Sequence, residues 1–143
     1  MKKGQFSRDW SLLKLARTWE PRDIGGEVVE RVLREGSPEA VADILDVIGT
    51  IGFEDGEKAK ERMPSLMQPV EIIESTLLVA GVETERLDGE ERPTIMINLE
   101  AHDLFGYPFS MTEPAVAYIT GFVQAVSGGA AVSQSEDHLL IRF

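Results

Sequence analysis

The two histidines of this sequence, His102 and His138, are where acid–base or metal chemistry would have to begin. His102 is followed by Asp103, and a carboxylate next to an imidazole can orient it as a general base. If the fold brought His138 alongside, two imidazoles with Glu100 or Asp103 would suit a first-row metal. No HExxH-type spacing supports such a centre, and a loop histidine beside an acid is ordinarily solvated surface. A metal is therefore not expected, and a small hydrolase or isomerase built on His102 and Asp103 stands as an alternative function. No serine lies in a Gly-x-Ser-x-Gly elbow. Gly128-Gly129 lacks the lysine of a phosphate loop and reads as a helix stop, and no strand precedes Gly25-Gly26 as a dinucleotide site requires. The chain has no cysteine, which excludes disulfides, thiolate nucleophiles, iron–sulfur clusters and thiolate zinc sites. No cofactor is expected.

Binding has better candidates than catalysis. Phe105, Tyr107 and Phe109 alternate with Gly106 and Pro108, and Met111 follows. Such a segment can lid an apolar cavity, with Tyr107 supplying one oriented hydrogen bond and His102 at the mouth. It can equally plug the end of the core. Trp10 and Trp19 could line the same cavity or bury a dimer interface, and Met63, Met67, Met96 and Met111 would make a cavity adaptable.

Charge narrows the partners. With 14 Lys and Arg against 25 Asp and Glu, the 143 residues carry a formal charge of -11. A surface that acidic repels phosphate backbones, so nucleic acid is not an expected partner. The adjacent basic pair, Lys2 and Lys3, is too short to make a patch. The acidity reads as solubility. No window approaches the ~18 consecutive apolar residues of a spanning helix, and Met1 to Ser11 lacks a signal peptide's apolar run. No membrane span and a cytoplasmic location are expected.

The elements that must position these residues follow from periodicity. Ser7 or Asp9 can cap a short helix carrying Trp10, Leu13, Leu15 and Ala16, stopping near Pro21. Asp23 can cap a second with Ile24, Val28, Val29, Val32 and Leu33 on one stripe, ended by Gly36. Ser37-Pro38 starts a third, with Val41, Ile44, Leu45 and Ile48 on one face. It either breaks near Gly52 or continues through Lys58–Arg62. A fourth helix runs from Pro69 to Ala80, with Gly81 at its stop. The period then changes to two. Val82–Leu87 and Thr94–Leu99 read as strands around an Asp88-Gly89 turn, with Ile95, Ile97 and Leu99 on the buried face. Glu100–Met111 is a loop, and Thr112 caps a helix to about Ser127. Ala130–Gln134 and His138–Phe143 form a last hairpin. The expected fold is a single α+β domain over residues 1–143: N-terminal helices, then a β-β-α-β-β unit whose hairpins form one antiparallel sheet with helices on one face.

From about Pro69 to Phe143 this order resembles the 4-vinyl-reductase domain family, related in fold to the TRAPP trafficking subunits. In that family a helix leads into a hairpin, a loop, an amphipathic helix of the form GF-x-x-x-(A/L) and a closing hairpin. The corresponding pieces are Ile72–Gly81, Val82–Leu99, the helix segment from Tyr118 to Val126 with Gly121-Phe122 and Ala125, and Ala130–Phe143. Gly52 to Ala59 looks like the glycine-containing helix that precedes them. The resemblance implies a small-molecule sensing domain, often dimeric, with an apolar pocket between helices and sheet. Metal-binding members use cysteines, one of them at about the position of Leu139, so a zinc site of that kind is not implied. The amino-thiazoline-carboxylate hydrolase family shares the plan and also leans on cysteine chemistry.

The leading expectation is a non-catalytic homodimer that senses or carries a small apolar ligand through Trp19, His102, Phe105, Tyr107, Phe109 and Met111. A protein–protein adaptor is the alternative, and it predicts a large exposed apolar face.

Overall fold

The computed structural model describes residues 3–18, 24–63, 65–89, 91–99 and 112–143, with side chains from Ser7 onward. Five helices and four strands follow in the order α1 (Lys3–Thr18), α2 (Ile24–Glu35), α3 (Pro38–Arg62), α4 (Pro69–Val79), β1 (Glu85–Arg86), β2 (Thr94–Asn98), α5 (Glu113–Val126), β3 (Ala131–Ser135) and β4 (His138–Arg142). The α+β plan expected from the sequence is present. Among the described residues, no helix is long and apolar enough to cross a membrane.

The four strands form one antiparallel sheet in the order β1-β2-β4-β3. Ile95 faces Ile141 and Ile97 faces Leu139 across β2 and β4, and all four are fully buried. Ile73 and Leu77 of α4 and Ile119, Phe122, Val123 and Val126 of α5 complete this core. Each such side chain contributes roughly 1.5–3 kcal/mol by leaving water, so the core of this sheet and its two helices dominates the stability.

Local chemistry sets the boundaries. Ser37 accepts a hydrogen bond from the Ala40 amide at 3.2 Å and starts α3, with Pro38 at its first position. The Glu71 carboxylate accepts from the Gln68 amide at 3.0 Å at the start of α4. Gly81, at φ +83°, ends α4 by donating to the Leu78 carbonyl, while Val82 donates to that of Leu77. That turn consumes Val82, which accounts for one difference from the sequence reading. The expected strand Val82–Leu87 shrinks to Glu85–Arg86, because its first residue is buried as part of the helix stop.

Two further boundaries differ. The first helix starts at Lys3, ahead of both Ser7 and Asp9; Ser11, one turn on, donates to the Ser7 carbonyl at 3.0 Å inside the helix. Thr112 does not cap α5 through its side chain; its backbone is already helical, and its hydroxyl oxygen accepts instead from Gln134 at 3.4 Å. The proposed cap Asp23 lies outside the described residues. Of the two courses the sequence left open for α3, the continuous one is present: it runs 25 residues through Gly52 to Arg62, about 37 Å.

Candidate functional site

The residues expected to bind a ligand, Trp19, His102, Phe105, Tyr107, Phe109 and Met111, all lie outside the described residues, as does Asp103. His138 is described: it opens β4, half-buried, opposite Asn98 on one side and Ser135 on the other. Leu139 is fully buried in the core. Among the described residues, no three His, Asp or Glu side chains gather where they could hold a metal ion.

What the structure does assemble is the crossing of α3 and α5. Its logic is backbone proximity. A Cβ at Gly52 would sit 2.2 Å from the Tyr118 carbonyl oxygen, one at Gly56 2.6 Å from that of Phe122, and one at Gly121 2.0 Å from that of Gly49. No side chain fits at those distances, so the helices touch main chain to main chain. Glycine inside a helix costs about 1 kcal/mol relative to alanine; here the close approach offsets that cost. Read alone, the glycines of α3 weaken a helix. Their meaning comes from Ala117, Gly121 and Ala125, which recur every fourth residue on α5 and make the matching small-residue ridge.

Beside this seam Tyr118 donates a hydrogen bond to the Asp55 carboxylate at 2.6 Å, and its ring stacks on Phe122 with centroids 6.4 Å apart. Partial burial, reinforced by the hydrogen bond to Asp55 and by that residue's negative charge, pushes the Tyr118 hydroxyl above its ordinary range. It is therefore a fixed donor at neutral pH, not a proton acceptor, and it latches one helix to the other.

On the outer side of the same crossing lies an open groove of about 700 Å³, lined by Leu45, Asp46, Gly49, Thr50 and Phe53 of α3 and by Ala117, Thr120, Gly121 and Gln124 of α5. Its floor is small and apolar and its rim is polar. Along α3, Glu39, Asp43 and Asp46 follow at helical spacing, all exposed, and no Lys or Arg appears before Lys58. Asp46 on the groove's rim is thus the end of an acidic run along α3. Thr50, on its rim, donates its hydroxyl to the Asp46 backbone carbonyl at 3.0 Å and not to a side-chain base.

The N-terminal helices have a different character. Every side chain from Ser7 to Thr18 is exposed, and α2 has no buried residue. Ion pairs Arg31–Glu27, at 2.8 Å, and Arg34–Glu30 support the polar face of α2 one turn apart. Its apolar face rests only partly on α3. Trp10, Leu12, Leu13 and Leu15 of α1, with Ile24 and Val28 of α2, remain between 44% and 74% exposed.

No family model, curated protein or solved structure matches this chain.

Proposed function

We propose that this chain is a non-catalytic association module, a subunit that works by binding protein through its N-terminal helices, with a second copy of itself as the first partner. The observation that carries the reading is the contrast in burial. Two helices, one of them strongly two-faced, have no fully buried side chain among those described, and Trp10, Leu12, Leu13, Leu15, Ile24 and Val28 stay exposed on them. Apolar surface of that kind on a folded chain marks an interaction face. Sedimentation equilibrium of the full chain tests it. The unaltered protein should associate as its concentration rises, and a Leu13→Glu, Val28→Glu variant should sediment as a folded monomer. A native chain that stayed monomeric throughout would sink the proposal.

A second reading, binding of a small apolar ligand, is favoured by the groove between α3 and α5 with its apolar floor. It predicts a saturable heat in isothermal titration calorimetry with some member of a broad panel of apolar compounds. A flat response across the panel would remove it.

A further inference from the structure

The association module has a basic arm and an acidic groove, and these fit one another. Although the whole chain is acidic, α1 carries Lys3, Arg8, Lys14 and Arg17 against the single acid Asp9. Trp10, Leu13, Lys14 and Arg17 fall at i, i+3, i+4 and i+7, one strip of the helix with two apolar and two cationic side chains. Lys14 lies over the Trp10 ring, 5.7 Å from its centroid, so charge and apolar surface form one compact feature. The groove offers the converse: Gly49, Ala117 and Gly121 on its floor, Leu45 and Phe53 as apolar walls, and Asp46 on the rim, extended by Asp43 and Glu39 along α3. Small residues allow a third helix to approach closely, and an amphipathic helix laid in an apolar groove is a recurring mode of recognition.

We infer that the α3–α5 groove of one copy receives helix α1 of a second copy, Trp10 and Leu13 resting on the small-residue floor and Lys14 and Arg17 facing Asp46 and Asp43. The inference rests on the association reading and names its contacts. A second copy is the occupant that supplies both halves of the match: the basic strip is unburied on its own chain, and the acidic groove is open on the other. An anionic membrane would also attract α1, but it would repel the strongly acidic remainder of the chain. Such an interface should form fast and weaken with salt.

The lack of native cysteine makes the test direct. One preparation carries Leu13→Cys and an isotopically labelled second carries Thr120→Cys, both on exposed or half-exposed positions, and the mixture is oxidised at low protein concentration. The expected product is a disulfide-linked dimer with one chain of each kind. Lys14→Glu with Arg17→Glu on the first chain should reduce its yield about tenfold, and Asp43→Lys with Asp46→Lys on the second should restore it. The inference would be overturned by a chain carrying both cysteines that closes on itself as a monomer, by a yield indifferent to the charge reversal, or by α1-dependent binding to phosphatidylserine vesicles in place of the mixed dimer. A dimer that persists in sedimentation without the Leu13–Thr120 link would end this inference and leave the association reading standing, whereas a monomer at every concentration would end both.

Discussion

The N-terminal helices and the C-terminal helix–sheet unit follow the same rule of apolar spacing and reach opposite outcomes. In the C-terminal unit the stripes of α4 and α5 meet Ile95, Ile97, Leu139 and Ile141, and among its described residues nothing large and apolar is exposed except at the end of α4, at Leu78 and Val79. In α1 the apolar residues stay exposed, and in α2 the two-faced pattern leaves no side chain more than partly buried. Periodicity thus specifies that a face exists, while what covers it is decided by the rest of the chain or by another one. The C-terminal unit answers to folding, and the N-terminal helices answer to association.

That contrast can be broken at several points. The most damaging change should be Gly121→Leu, since any Cβ there collides with the Gly49 carbonyl; a loss of at least about 4 kcal/mol is expected in denaturant unfolding, against less than about 1 kcal/mol for Gly49→Ala, where the new methyl meets only ordinary contact. Leu139→Ala, at the centre of the sheet, should cost about 3 kcal/mol in the same measurement. Removing one hydroxyl with Tyr118→Phe should cost about 1 kcal/mol. It should also change the alkaline limb of stability. Because folding raises the Tyr118 pKa, its contribution is complete below about pH 10, the unfolded value, and drains away as pH rises beyond it; the phenylalanine variant should lack that part of the decline. The smallest effect belongs to α1: Leu13→Ala should leave unfolding of the dilute chain within about 0.5 kcal/mol. A large loss there would mean that α1 is a part of the core and would erase the distinction between the two halves.

How much of this could be read from the sequence follows from the range of the forces involved. Ser37-Pro38, Gly81 and the alternation at Ile95, Ile97 and Leu99 act through neighbouring residues, and the elements they predict are present within a residue or two. The glycines of α3 were ambiguous because their partner, the Ala117–Gly121–Ala125 ridge, lies about sixty residues on and only contact reveals the match. The short β1 and the side-chain role of Thr112 escaped for a similar reason, since Val82 and Gln134 settle them through the fold. The cations of α1 were legible but dispersed: counting adjacent lysines finds only Lys2 and Lys3, whereas Lys14 and Arg17 join Trp10 only once the helix brings them to one side. The aromatic loop, for which the sequence suggested a binding role, falls outside the described residues.

The sheet order has a consequence for biosynthesis. β4 follows the other three described strands in sequence and yet lies inside the sheet, between β2 and β3. Until it leaves the ribosome, β2 has an open edge and the inner faces of α4 and α5 lack half of their floor. The helices that emerge first, α1 and α2, meanwhile offer apolar side chains with nothing to cover them. A nascent chain of this design is therefore at its stickiest just before β4 emerges, and deletion of residues 138–143 should yield insoluble protein and not a merely weakened fold.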